Sequence, residues 1–287
     1  MESIIIEAPA KINLYLNILG RFANGYHDLD MLMQSISLSD MVKIKKARGQ
    51  STLSLCNHRD QTFVPLDEGN LALKAWRLLQ KNYGLQGKEV DIHIEKYIPV
   101  GAGLAGGSSN AAAVLRGCNQ LFDLRIPDEE LVSLGAALGG DVPFCVVNGL
   151  ARAEGIGERL TLLPALPRRN LVVVNPGISV LTGEIFGFYD KMKLSYEMDL
   201  SPLEEFCTMP TWERVDHLLY NALELPAVAC YPVIQEVKAD LEEIGLRPFM
   251  SGSGPSVIAF WERSEQQAAI EKYIMPKWPI VVLGYTK

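Results

Sequence analysis

The sequence has no long hydrophobic run: no uninterrupted apolar stretch reaches the roughly 18 to 20 residues that a membrane-spanning helix needs. It also has no paired cysteines. Five are scattered along 287 residues (Cys56, Cys118, Cys145, Cys207 and Cys230), an odd number without a C-x-x-C pair. Such spacing excludes a disulfide framework and signals no zinc site. It suits small apolar side chains in a reducing cytosol. Basic residues are outnumbered, with 27 Lys and Arg against 34 Asp and Glu and a formal net charge of -7. No nucleic-acid or anionic-membrane partner is therefore expected, and a phosphate-bearing ligand must be held by a local site. Met1 to Ala8 carries neither a basic stretch nor a long apolar one, so no signal peptide is expected and the location reads as cytoplasmic. Hydrophobic residues make up 48% and charged residues 21%, which is enough to build a packed core.

The pattern along the chain mixes strands and helices. From Lys11 to Ile18 apolar residues alternate with Lys11, Asn13, Tyr15 and Asn17, the period of a half-buried strand. A solvated face would explain that polar row. Two Asn and a Lys in a strand also invite a functional reading, because Asn is a poor strand former. Arg21 to His27 reads as a turn around Asn24-Gly25. Asn70 to Asn82 has helical spacing closed by Gly84, and Val90, Ile92 and Ile94 form a strand that runs into Pro99. Ala111, Leu115, Cys118 and Phe122 mark one further helix, and Leu131, Leu134 and Leu138 another. Leu160 to Arg169, with Pro164 and Pro167, reads as a connection between two domains, placed at 1–160 and 161–287. A strand at Leu171 to Val174 follows it. Later come helices around Val233 to Ile244 and Gln266 to Tyr273, and strands at Ser256 to Trp261 and Ile280 to Gly284. Without regular alternation of strand and helix, the class is α+β with two domains.

The segment Pro99-Val100-Gly101-Ala102-Gly103-Leu104-Ala105-Gly106-Gly107-Ser108-Ser109-Asn110 follows a strand and opens a helix. Its four glycines let backbone N–H groups approach an anion. Ser108, Ser109 and Asn110 suit a helix N-terminus, where unpaired N–H groups attract phosphate. The physical reading is a polyphosphate cradle; the plainer one is a glycine-rich structural turn. Gly101, Gly103 and Gly106 also match G-x-G-x-x-G, but Pro127 to Leu138 is helical where a dinucleotide fold needs a second strand ending in an acid. A Walker A Gly-Lys-Ser/Thr is absent. The triplet His58-Arg59-Asp60 lacks the Asn of a protein-kinase catalytic loop, since Pro65 stands there. Phosphoryl transfer also needs a carboxylate to receive the acceptor proton and a cation to steady the charge. Asp141 and Lys11 are the candidates, although alone they read as a turn or cap residue and a surface lysine.

Taken together, Pro9 to Leu14, Gly25-Tyr26-His27, Pro99 to Ala112, Leu138 to Phe144 and Met250 to Ser256 closely resemble the GHMP kinase superfamily. The resemblance runs in order from about Ala8 to about Val257. It implies an N-terminal ribosomal-protein-S5-like domain and a C-terminal ferredoxin-like domain. Within the superfamily, Gly-Gly-Ser-Ser-Asn-Ala-Ala and Arg-x-x-x-Gly-Tyr-His look like the branch that phosphorylates a CDP-linked methylerythritol in isoprenoid synthesis.

The resemblance implies ATP as donor, with Mg2+ accompanying it and no dedicated metal ligands. It assigns Asp141 as general base, Lys11 as its charge partner and Asn13 to the substrate side. Tyr26 and Phe186 would stack on cytosine, His27 would read its edge, and Thr182 would lie near the substrate. Pro99 to Asn110 would hold the phosphates, Lys96 and Asn70 would neighbour adenine, and Ser108 or Ser109 would approach magnesium. A monomer or weak homodimer is expected. Relatives commonly carry glycine where Ala105 stands and alanine where Gly140 stands. The extra methyl of Ala105 matters only if that position needs a positive φ or touches a phosphate. The second glycine segment, Ser251 to Ser256, reads equally as support for the cradle or as a tight turn leading into a strand.

Overall fold

A computed structural model describes residues 1–59, 62–194 and 200–287. Asp60, the last residue of the His-Arg-Asp triplet, lies outside them. Contacts divide the chain into two compact, interleaved units. One comprises Met1–Ala10, Leu38–Val100 and Ala105–Asn148, and the other Lys11–Ser37, Gly101–Leu104 and Gly149–Lys287. The passage between units is not confined to one point near residue 160, because two long early strands, β1 (Ser3–Arg21) and β2 (His27–Ala47), run through both.

In the first unit β3 (Thr52–Asn57) pairs in parallel with β4 (Glu89–Lys96), which pairs antiparallel with the end of β2, Met41 opposite Glu95. Val90, Ile92 and Ile94 are buried while Asp91, His93 and Glu95 face outward, as the period of two requires. Helix α1 (Leu71–Asn82) begins where Asn70 accepts a hydrogen bond from the Ala72 N–H at 2.9 Å, a side-chain N-cap. Helix α2 (Gly106–Leu121) packs on α1 and is buried almost all round from Ser109 to Leu115. Its end is covered by Trp76, whose ring stacks on Phe122 at 5.3 Å. Two short helices follow, α3 (Asp128–Ala136) and α4 (Val142–Val147).

In the second unit the start of β2 pairs antiparallel with β5 (Leu150–Gly155), and β5 with β6 (Arg159–Leu163). This corrects the reading of Leu160 to Arg169 as a connection: its first half is an edge strand, and only the proline-bearing remainder links elements. Leu160 pairs with Ala153 and Leu162 with Ala151, so ladder pairing won over the proline signal. The rest of the unit contains β7 (Asn170–Asn175), α5 (Thr182–Met192), α6 (Ser201–Thr208), α7 (Trp212–Leu218), β8 (Tyr220–Asn221) and α8 (Glu224–Cys230). It continues with α9 (Val233–Glu243), β9 (Pro248–Met250), β10 (Val257–Trp261), α10 (Ser264–Ala269), a single wider turn at Ile270–Ile274, and β11 (Ile280–Tyr285). The four strands β7, β9, β10 and β11 make one antiparallel sheet in the order β11-β7-β10-β9. With helices between the first and second and the third and fourth strands, this is the expected ferredoxin-like order.

Candidate active site

The polar row on β1 is not a solvated face. Lys11 is 4% exposed, Asn13 1% and Asn17 3%, although strand spacing alone gave them a water-facing side. A buried ammonium needs hydrogen-bond partners. Lys11 Nζ donates to Asn13 Oδ1 at 2.6 Å, while the Lys11 N–H donates to Leu104 O at 3.2 Å and ties the strand to the glycine loop. The Asn13 N–H donates to Ser251 Oγ at 3.2 Å, and Ser251 Oγ donates onward to Gly103 O at 3.1 Å. Asn13 Nδ2 points to Met31 Sδ.

Within the second unit Gly103 lies backbone to backbone against Ser251 to Gly254, while Gly101 packs on Ser179 and accepts from the Val180 N–H at 3.0 Å. Gly103 has φ +72, and a Cβ on it would come within 2.2 Å of Ser251 O. Gly252 has φ +57, and a Cβ there would lie 3.0 Å from Gly103 O and 3.4 Å from Lys11 Nζ. The second glycine segment therefore supports the loop and borders the buried lysine. It also leads into β10, as the reading of a tight strand-entry turn expects. Ala102 and Leu104 are buried, anchoring the loop between its glycines. Asn221, on β8, donates to Met250 O at 2.9 Å and Gly252 O at 2.8 Å, and so fixes the supporting turn.

In the first unit the loop passes into α2 through Ala105, whose φ of 57° and ψ of 30° are left-handed. The position is thus one that glycine suits, and the alanine holds its conformation at a cost of about 1–2 kcal/mol. Ala105→Gly is expected to stabilise the protein by about 0.5–1 kcal/mol, the gain being partly offset by the looser unfolded chain. A thermal melt checks this; an unchanged or lower Tm would contradict the strain.

At the start of α2 the Ser109 hydroxyl is buried and donates to Pro9 O at 2.7 Å. Ser108 is half-buried and Gly107 exposed. Lys96 and Asn110 take part in a buried network centred on Asp40, which sequence reasoning did not single out. Asp40 is fully buried and accepts from Lys96 Nζ at 2.6 Å, Asn110 Nδ2 at 2.8 Å, and the N–H groups of Tyr97 and Ile98 at 2.7 and 2.8 Å. Gly106 makes room for it, because a Cβ there would meet Lys96 Nζ at 2.9 Å. Pro99 is buried and Val100 half-buried just after this network. Asn70 caps α1 and donates to Pro65 O at 2.7 Å. Asp141 is half-buried and precedes α4, but its side chain does not cap that helix.

The turn expected at Arg21 to His27 is formed: the Phe22 N–H donates to Tyr26 O at 2.8 Å, with Gly25 at φ +90. Tyr26 is 61% exposed. His27 stacks on Phe186 with centroids 4.6 Å apart, and Tyr189 meets it edge-on at 6.2 Å. One face of Phe186 is therefore covered by imidazole. His27 Nε2 lies 2.7 Å from Asp190 Oδ1, and Arg21 Nη1 lies 3.2 Å from Asp190 Oδ2. An ionised carboxylate only accepts, so Nε2 carries the proton and a neutral His27 presents Nδ1 as an acceptor. Asp190 too went unnoticed in the sequence. Thr182, exposed at the start of α5, lies 3.1 Å from Ser253 Oγ.

Known proteins match this chain along most of its length. It is 37% identical over 278 residues to the 4-diphosphocytidyl-2-C-methyl-D-erythritol kinase of Lachnospira eligens, covering 96% of this chain and 95% of that protein. It is 41% identical over 271 residues to the like-named enzyme of Acetivibrio thermocellus, covering 93% of each. The chain belongs to the 4-diphosphocytidyl-2-C-methyl-D-erythritol kinase family. Residues 70–149 match the model of the GHMP kinases N terminal domain and residues 203–276 that of the GHMP kinases C terminal. A crystal structure of 4-(cytidine 5'-diphospho)-2C-methyl-D-erythritol kinase superposes with a TM-score of 0.77 at 32% identity, covering 99% of both chains. Homoserine kinase from Cytophaga hutchinsonii, at 18% identity and a TM-score of 0.71, shares the fold alone. This family member is an ATP-dependent small-molecule kinase with the two-domain α+β GHMP kinase fold. Among the described residues no helix is long and apolar enough to cross a membrane.

Proposed function

We propose that this kinase transfers the γ-phosphoryl group of ATP to the 2-hydroxyl of 4-diphosphocytidyl-2-C-methyl-D-erythritol, a step of the methylerythritol phosphate route to isoprenoids. The observation that carries the reading is a buried lysine, Lys11, held beside a glycine turn that also supports the loop at Gly101 to Leu104. An ammonium in a site of low polarity stabilises charge that develops on a phosphoryl group far better than one in water. Asn13 fixes its position.

In this reading Asp141 takes the proton of the acceptor hydroxyl as that oxygen attacks phosphorus, and ADP leaves. The backbone of Gly101 to Ser108 and the first turn of α2 hold the phosphates. Magnesium arrives with ATP. Because the Ser109 hydroxyl is committed to Pro9, Ser108 is the serine that would approach the ion. In this reading Lys96, tied to Asp40 and close to Gly106, neighbours adenine together with Asn70.

Tyr26 and the uncovered face of Phe186 bind the cytosine, with Thr182 near the same end. His27, its tautomer set by Asp190, accepts from the exocyclic amino group of the base, a donor that cytosine has and uracil lacks. Tyr26→Ala is expected to raise KM for the cytidyl substrate by about 5- to 150-fold, the worth of one lost stacking contact, with kcat little changed. An unchanged KM removes Tyr26 from base recognition. ADP release measured with 4-diphosphocytidyl-2-C-methyl-D-erythritol, mevalonate and homoserine tests the assignment. Turnover of the cytidyl compound is expected, and turnover of either other acceptor in its absence would overturn it.

A further inference from the structure

The edge of the first unit's sheet carries a cluster that the kinase reaction leaves unused. Strands β3 and β4 pair in parallel, with Ser54 opposite His93 and Cys56 opposite Glu95. Alternate residues of a strand share a face, so Cys56 and His58 from one side and His93 and Glu95 from the other project together. The His58 N–H continues the ladder by donating to Lys96 O at 2.9 Å. The side chains converge on one carboxylate: His58 Nε2 lies 2.5 Å from Glu95 Oε2, and His93 Nε2 lies 2.8 Å from Glu95 Oε1. The ligand atoms of Cys56, His58 and Glu95 all lie within 4.8 Å of one another.

We propose that Cys56, His58, His93 and Glu95 form a surface site for a divalent transition-metal ion of the zinc class. Two of the chain's four histidines meet here beside a cysteine that is exposed, whereas free cysteine is among the most buried residue types. One thiolate, two imidazoles and one carboxylate are the donors that zinc takes in tetrahedral sites. Zinc–ligand bonds of about 2.0–2.3 Å put tetrahedral donors about 3.3–3.8 Å apart, so the donors of Cys56, His58 and Glu95 need move by only about 1 Å, and His93, already against Glu95, must swing in as the fourth. On binding, each imidazole carries its proton on Nδ1 so that Nε2 offers its lone pair to the metal in place of its bond to Glu95, and Cys56 releases its thiol proton to solvent. Ser54 Oγ, 2.8 Å from His93 Nδ1, orients that ring from its other nitrogen.

The site also explains why cysteine spacing gave no warning. Its ligands form Cys-x-His and His-x-Glu pairs on two strands brought together by pairing, not one C-x-x-C run. A bound ion would fasten His58, whose ring stacks on Tyr97 at 4.6 Å, against the strand end that leads to Pro99. With one carboxylate and no other hard oxygen donor among the four, the set does not suit magnesium.

The test is a titration of chelator-treated protein with Co2+, followed by absorption. One Co2+ per chain is expected, with the visible bands of a tetrahedral site and a near-ultraviolet thiolate band, displaced by Zn2+ and not by millimolar Mg2+. Cys56→Ser should abolish the thiolate band and weaken binding at least ~10-fold. His58→Ala and His93→Ala should each weaken it as well, with far-ultraviolet circular dichroism unchanged. Zn2+ should raise the Tm of the unaltered protein but not that of Cys56→Ser. No thiolate band, or a band that survives Cys56→Ser and is lost in Cys207→Ser or Cys230→Ser, would overturn the proposal.

Discussion

Asp141→Asn is expected to lower kcat by at least ~100-fold while ATP affinity stays close to that of the unaltered enzyme. Removing a general base forfeits roughly 100- to 10,000-fold, because the acceptor hydroxyl must then attack phosphorus with its proton in place. Asp141 sits at the N-cap of α4 with φ -82 and ψ -15, and its side chain makes no capping bond there. The amide has nearly the same size and shape as the carboxylate, so stability should change little. Steady-state kinetics with a direct ATP-binding measurement reads both halves. Full activity in Asp141→Asn would remove this residue from the mechanism, and lost ATP binding would make its role structural.

The second large effect is on stability. Asp40→Ala should destabilise the protein by about 3–5 kcal/mol, because it leaves the Lys96 ammonium without its partner in a buried site. Both side chains are nearly inaccessible, 0% exposed for Asp40 and 4% for Lys96. The same carboxylate serves the N–H groups of Tyr97 and Ile98 and the amide of Asn110. It thus joins the end of β4 to the second turn of α2, on either side of the glycine loop. The expected loss is on the order of 10 °C in Tm. Pairing Asp40→Leu with Lys96→Met should be milder than Asp40→Ala alone, since no unpaired charge remains. If Asp40→Ala melts like the parent protein, the network is not what holds the loop's flanks.

The sequence made local features readable and hid those that depend on distant partners. The helical spacing from Asn70 to Asn82, the Asn-Gly turn before Tyr26, and the alternation in β1 and β4 are all set by residues a few positions apart. The glycine loop was legible for the same reason. Asp40 could not be found that way, because Lys96 lies 56 positions on; nor could Asp190, which reaches back 163 positions to His27. The polar row of β1 was visible but not its burial, which comes from tertiary packing on a strand of 19 residues. At Leu160 the prolines that follow hid an edge strand whose ladder partner lies just upstream. The conformation of Ala105 shows the limit most plainly. The departure from glycine was legible, and only the backbone angle gave it an energetic meaning.

The most direct test of the central claim is the position of the phosphate in the product. Purified protein is incubated with ATP, Mg2+ and 4-diphosphocytidyl-2-C-methyl-D-erythritol, and the product is read by phosphorus NMR. The account predicts one new phosphomonoester on the 2-hydroxyl for each ADP formed. Phosphate on a different hydroxyl, or ADP released without any phosphorylated acceptor, would contradict it.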